Sequence, residues 1–221
     1  MERHFSPIVI SGMTLLSLLF LAKIRFSTIF AIIGILLIFG FAIITFGPKY
    51  RNLRMQIYAK YSLFHKVFHK SGNYHGNADY QIRQSLISLA SGKLIGVSPK
   101  RGTGKHYFLP EAKTDYIFSI IGEEFGFLGA FGVMSLYLFL FYRVFRDSTK
   151  KENLYLKLIG FGLGMNIFFN AMVNIGVAMS AFPSTGVTLP FISYGGTSLI
   201  VNSFSVGLLL NISAKKRQII T

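Results

Sequence analysis

Apolar residues run along this chain in long blocks, and the breaks between them carry almost all of its charge. A helix that crosses a bilayer needs roughly 17–25 mostly apolar residues. Five blocks reach or approach that length: residues 7–22, 26–47, 116–142, 158–182 and 199–212. The first is the weakest, and the third carries Glu123 and Glu124 inside an otherwise apolar run. The pattern predicts an all-α polytopic integral membrane protein of about five transmembrane helices, with residues 1–221 forming one membrane domain.

Between the second and third blocks lies a loop from 48 to 115, too long for a simple connection. Two amphipathic helices are predicted in it. In residues 50–70, Leu53, Ile57, Tyr61, Phe64 and Phe68 recur at helical spacing among Arg51, Arg54, Lys60, Lys66 and Lys70. Such a helix can lie in the headgroup plane or pack on the spans below it. In residues 78–90, Ile82, Leu86 and Leu89 share one side and Arg83 lies on the other, with Gly92 following as a C-cap.

Composition sharpens the class. The 221 residues hold 23 Lys and Arg against 8 Asp and Glu, a formal charge of +15. Only 14% are charged, where a soluble domain has about 25%. At 52% hydrophobic the chain is not intrinsically disordered. It is also no soluble nucleic-acid binder, because such proteins spread their charge over a polar surface. The absence of cysteine excludes disulfides, a thiolate nucleophile and thiolate metal sites.

Lys and Arg in short loops set orientation. Lys23 and Arg25, then Arg143, Arg146, Lys150, Lys151 and Lys157, then Lys215, Lys216 and Arg217 fall on one side if all five blocks cross. That side is expected to be cytoplasmic, together with the C-terminus. The loop 183–197 has no charge and fits the outside. The loop 48–115 is outside as well, and its 12 Lys and Arg are no contradiction, since long loops largely escape the rule. The first block lacks the usual form of a signal peptide, having Glu2 beside Arg3 and no small-x-small site before Lys23. It reads as a membrane helix. Its N-terminus would then lie outside, and the chain is expected to be the later half of something larger.

The densest candidate chemistry is LPEAKTDYIFSIIGEEFG, residues 109–126. Asp115 stands where the third span begins. Two readings are open: Thr114 or Asp115 caps the helix, or Asp115 is a general base at the membrane surface within reach of a lipid headgroup. Glu123 and Glu124 lie further along, where ionisable groups are costly and are paired or functional. Asn166, Asn170 and Asn174 form a stripe at i, i+4, i+8 on the fourth span, spaced for interhelical hydrogen bonds. Gly160, Gly162 and Gly164 read as close helix packing.

Three other features complete the inventory. GVSPKRGTG (96–104), flanked by Lys93 and Lys105 and containing Lys100 and Arg101, could hold a phosphate on its freed amides or be an exposed basic turn. His65 and His69 share the spacing of a metal pair but have no third ligand at a convincing spacing, so they read as surface histidines. FPSTGVTLPFISYGGTS (182–198) cannot be a regular helix, with two prolines and a Gly-Gly pair. Non-helical backbone near a bilayer must be buried in protein or line a wet cavity. This segment is therefore expected to re-enter and form a wall of a site, or else a rigid plug.

LPEAKTDYIFSIIGEEFGFLGA (109–130) followed by STGVTLPFISYGGTSL (184–199) resembles the SEDS family of bacterial cell-wall polymerases, the FtsW/RodA/SpoVE group. QSLISLASGKLIGVS (84–98) adds a weaker match. The likeness runs from about residue 15 onward and covers the family's later half, leaning to the division branch over the elongation branch. The chain departs from the family's pattern in Glu2-Arg3-His4-Phe5-Ser6, at Ile24 and at Ser98.

The resemblance implies a peptidoglycan glycosyltransferase in the bacterial cytoplasmic membrane. It would polymerise lipid II, an undecaprenyl-pyrophosphate disaccharide-pentapeptide, beside a class B penicillin-binding protein and the divisome or elongation proteins. The family's essential acid falls on Asp115. Lys93, Lys100, Arg101 and Lys105 would neutralise the leaving pyrophosphate. Glu111 and Thr114, from the same motif as Asp115, and Thr185, Ser193, Tyr194, Gly195 and Gly196 would contact substrate. The resemblance fixes no cofactor and leaves a divalent cation (Mg or Mn) open. A precursor flippase and a non-catalytic scaffold for divisome proteins stay open beside the enzyme, as does whether this chain alone is active.

If the basic loop binds pyrophosphate, Lys100→Ala with Arg101→Ala should weaken lipid II binding more at low salt than at high salt. Exposed charges are screened over about 8 Å at physiological ionic strength. Equal binding by variant and parent at low salt would leave only the exposed-turn reading.

Overall fold

The structure is a computed structural model and describes residues 6–25, 27–28, 30–35, 77–97, 115–183 and 186–214. Among them all regular structure is helical: α1 (Ser6–Leu21), α2 (Asn77–Ser91), α3 (Ile117–Thr149), α4 (Leu154–Ala178) and α5 (Gly196–Ser213). Three of these, α3, α4 and α5, are long and apolar enough to cross a membrane, and Pro7–Leu21 is a shorter apolar helix. The helical residues 27–28 and 30–35 fall at the start of the second predicted span, whose remainder lies outside the described residues. So does the helix predicted at 50–70. The spans otherwise fall where hydropathy put them, with α3 running to Thr149, beyond the predicted 142.

Helix α4 is the hub, packing against α3, α1, α5 and α2. Its glycines permit this. A methyl group on Gly160 would overlap the Ser148 hydroxyl, one on Gly164 would press into Val144, and one on Gly162 would meet Leu18 of α1. The glycine run thus packs against both neighbours, as expected. The core joins Phe118 and Tyr137 of α3, Ala171, Ile175 and Ala178 of α4, and Leu189 of the following loop. Phe141 stacks on Phe168 at 4.5 Å, and Phe145 meets Phe161 edge-on at 4.9 Å. Outward-facing Leu136, Phe139, Ile200 and Phe204 are each more than 60% exposed. An apolar surface of that kind suits lipid and would be an aggregation liability in water.

Helices α3 and α4 run antiparallel through a short turn, and α4 opens with Asn153 accepting a 2.9 Å bond from the Tyr155 amide. One end of the molecule therefore collects Arg143, Arg146, Lys150 and Lys151. There Asp147 accepts a 2.6 Å bond from Ser213 and pairs with Arg143 at 3.4 Å, tying α3 to α5. The opposite end collects Asp115, the end of α4, the 186–195 segment and the start of α5.

The third span is not one continuous helix. Gly126 has φ 67° and ψ −164°, so α3 breaks into 117–125 and 127–149. A break frees backbone groups that a bilayer cannot satisfy. The turn after α2 satisfies them. Val97 donates its amide to the Glu123 carbonyl at 2.9 Å, Phe127 donates to the Lys93 carbonyl at 2.9 Å, and Leu128 donates to the Leu94 carbonyl at 3.2 Å. The contact is backbone on backbone, so side chains must be missing on both sides. A methyl on Gly92 would overlap the Gly122 carbonyl, and one on Gly96, itself at φ 90°, would overlap that of Glu124.

Two expectations change here. Gly92 does follow the end of α2, but the left-handed residue is Lys93, at φ 47°; Gly92 is small because α3 lies against it. The buried face of α2 also differs in character. Ile82 is buried, as expected, but so are Ser85 and Ser88, while Arg83 is exposed. Ser85 donates to the Ala178 carbonyl at 2.8 Å, and its hydroxyl lies 2.5 Å from that of Ser119. Small hydroxyl residues bring the helices close and supply the bonds between them.

Gly92→Ala should therefore lower thermal stability in detergent markedly, by roughly 1–3 kcal/mol for an overpacked contact. Gly132→Ala, on the same α3 but with open space around its Cα, should be neutral or stabilising by up to about 1 kcal/mol from helix propensity. Equal melting temperatures for the two variants would remove the stitch as the reason for the break.

Candidate functional site

Asp115 lies in the turn that leads into α3, half-buried. The N-cap is Tyr116, whose side chain makes no capping bond. Asp115 therefore precedes the capping position, and Thr114 lies outside the described residues. One tie on Asp115 runs through its backbone. The Asn174 carboxamide on α4 donates through Nδ2 to the Asp115 carbonyl at 3.1 Å and to the Val187 carbonyl at 2.6 Å. One side chain, 1% exposed, thereby ties the head of α3, the end of α4 and the outer segment together.

The asparagine stripe divides in function. Asn170 donates to the carbonyl and the side-chain oxygen of Asn166, at 2.7 and 3.0 Å, within its own helix. Only Asn174 reaches other elements. Its Oδ1 is buried with no hydrogen-bond partner among the described residues. Leaving such an acceptor unpaired costs roughly 1–3 kcal/mol, so the two donated bonds are bought with a third left unmade.

The segment expected to re-enter is buried in the protein at its middle. Leu189 and Pro190 are buried, and the Tyr137 hydroxyl donates to the Pro190 carbonyl. Tyr137 is about 16 Å along the helix from the break at Gly126, at 1.5 Å per residue. Inside the segment, the Leu189 amide donates to Ser193 Oγ at 2.8 Å and the Ser193 amide to the Leu189 carbonyl at 2.9 Å. Thr188 and Ser198 hydroxyls lie 2.9 Å apart. Phe191 takes φ 67° to make the return. The stretch is a plug buried at Leu189 and Pro190, and it presents Tyr194 and Gly196 on the surface, Tyr194 at 80% exposure. Gly195 precedes α5 in extended backbone as its N-cap.

The remaining candidates spread out. Lys93 is exposed in the stitched turn. Ser193 is half-buried, with its hydroxyl turned to the Leu189 amide. Lys100, Arg101, Lys105, Glu111, Thr114 and Thr185 lie outside the described residues, as do His65 and His69. Glu123 is buried beneath the turn and Glu124 is half-buried. Residues 127–149 alone reach about 34 Å, enough for a hydrocarbon core of about 30 Å. The two glutamates therefore sit on the short piece before the break and need not lie within the bilayer. Among the described residues no group of three or more His, Asp or Glu could hold a metal ion.

The family model of the FtsW/RodA/SpoVE cell cycle proteins matches residues 1–218. The chain belongs to that family. Probable peptidoglycan glycosyltransferase FtsW of Enterococcus hirae is 45% identical over 142 residues, covering 64% of this chain and 36% of the relative. The FtsW of Coxiella burnetii is 33% identical over 216 residues, covering 96% of this chain and 55% of the relative. The chain thus spans about half the length or less of these curated FtsW relatives. A solved chain from a peptidoglycan synthase complex has the same fold, with a TM-score of 0.74 and 23% identity over 96% of this chain and 56% of that one. Like the family's other members, this FtsW/RodA/SpoVE chain is a polytopic membrane protein, and the lean to the division branch agrees with the relatives' names.

Two features of the site escaped sequence reading: the anchoring of the plug by Tyr137, and the specific use of Asn174 at the head of α3. Tyr137→Phe should loosen the plug without unfolding the protein, leaving the Pro190 carbonyl unpaired at about 1–3 kcal/mol. Hydrogen exchange across residues 186–195 should rise while that of α4 stays unchanged. Unaltered exchange there would show that the plug is held by packing alone.

Proposed function

We propose that this chain forms the catalytic half of a peptidoglycan glycosyltransferase acting on lipid II at the outer face of the bacterial cytoplasmic membrane. The observation that carries the reading is the placement of Asp115, half-buried at the head of α3 and tied through its own carbonyl to α4 and the re-entrant plug. A general base must be held still relative to its substrate, and its geometry matters before its pKa. In the reaction, Asp115 accepts the proton of the acceptor sugar's 4-hydroxyl. That oxygen attacks the anomeric carbon of the lipid-linked donor, the bond from this carbon to phosphate breaks, and undecaprenyl pyrophosphate leaves. Lys93, Lys100, Arg101 and Lys105 stabilise the charge that develops on it. Tyr194 and Gly196, exposed beside the plug, offer the sugars a hydroxyl and an open backbone.

The family likeness supports a class B penicillin-binding protein as partner and division as the setting. The positive-inside pattern supports a cytoplasmic C-terminus. A precursor flippase would need a through-path that opens alternately. The broken helix α3 is a feature shared with carriers, but here the freed groups are bonded to a turn of the same chain, which favours a fixed site.

The test joins this chain to the front spans of a relative and follows glycan formation from lipid II on gels. Asp115→Asn keeps the size of the side chain and the backbone tie to Asn174 while removing the proton acceptor. Polymerisation should fall on the order of 10²–10⁴-fold with an unchanged melting temperature. Near-parental polymerisation would sink the assignment of Asp115.

A further inference from the structure

We infer that Asn174 is a positioning residue for Asp115, acting through the backbone at the head of α3. The inference rests on Asp115 being the base, as proposed above, and adds the group that places it. Asn174 is four residues from the end of α4, fully buried, and its carboxamide nitrogen faces two main-chain carbonyls from different parts of the chain. Both partners are acceptors, so only the nitrogen can face them. That sets the amide's orientation and leaves Oδ1 without a partner among the described residues.

The head of α3 needs such a tie. Its first turn carries no side-chain cap, and the short piece 117–125 is separated from the rest of the helix by the break at Gly126. The far end of this piece is held by the stitch to 93–97. At its near end Tyr116 and Ile120 pack against Val177 of α4, contacts that resist separation but not sliding. The bond from Asn174 to the Asp115 carbonyl is a directional tie at that end. The same carboxamide holds Val187, so the base and the plug move as one unit.

Asn174→Asp replaces a donor pair by an acceptor of equal size, setting it against two carbonyl oxygens. In the 221-residue chain reconstituted in lipid nanodiscs, hydrogen exchange should rise in peptides covering 115–121 and 186–193 and stay unchanged in 154–165. In the fusion with front spans, kcat should fall by about 10²-fold, as expected for a reacting group displaced by about 1 Å, with KM altered less than about twofold. Asn170→Ala, which loses only bonds within α4, should keep parental kcat. Asn174→Ser is smaller and keeps one donor; it should fold and lie between parent and Asp variant, and it carries the test if the Asp variant fails to fold. Unchanged exchange at 115–121, equal loss in Asn170→Ala, or a loss confined to KM would each overturn the inference. An active Asp115→Asn would overturn the base itself, and with it any positioning role. An inactive Asp115→Asn beside a parental Asn174→Asp would overturn the positioning role alone.

Discussion

The fold depends on a single constraint: backbone polar groups at membrane depth must find partners inside the protein. Helices α4 and α5 meet it by internal bonding. Helix α3 does not, because Gly126 interrupts it, and the groups released there are taken up by the turn that follows α2. The arrangement fixes where α2 lies, since the amide of Val97 and the carbonyls of Lys93 and Leu94 must face the gap. It also fixes both anchors of the segment between 97 and 115, which leaves from the stitched turn and returns at the head of the same short helical piece.

Bonds between backbones demand small residues, and this explains a pattern that hydrophobicity does not. Gly92, Gly96, Gly122, Ser85 and Ser119 all lie where α2 and its following turn meet α3. None adds much apolar area. Their contribution is approach distance, which lets hydroxyls and amides bond across the gap. At the other end of the molecule, α3 and α5 are joined by Asp147 with Ser213 and Arg143, a contact between side chains that can adjust. The site end is held by side-chain donors aimed at main-chain carbonyls, and the basic end by bonds between side chains.

Much of this was legible in the sequence and some was not. The spans showed because hydropathy over about 20 residues is a strong signal. The family showed because its motifs are long and ordered, and Asp115 was singled out by its place at the start of a span. The break at Gly126 was hidden, because FGFLGAFG reads as an ordinary apolar helix in which Gly126, Gly129 and Gly132 look alike. Only the turn some thirty residues upstream distinguishes the first from the other two. Gly92 was read as a cap for the same reason: its neighbour in space is remote in sequence. The asparagine stripe was visible as a face, but its spacing could not tell Asn170, which bonds along its own helix, from Asn174, which bonds across.

The contrast between those two asparagines is one of reach: Asn170 bonds within α4, whereas Asn174 bonds to the backbone of the residue proposed as the base. A donor aimed at a carboxylate fixes the side chain but also stabilises its charge, lowering its basicity. Asn174 is aimed instead at the main-chain carbonyl of Asp115. It fixes the Cα from which the carboxylate extends while its own bond goes to a group that does not titrate. Because its second bond goes to Val187, the same amide sets the distance from the base to the plug whose surface presents Tyr194. Under the proposed reading, placement falls to a buried neutral group that bonds to the main chain of Asp115 and of Val187.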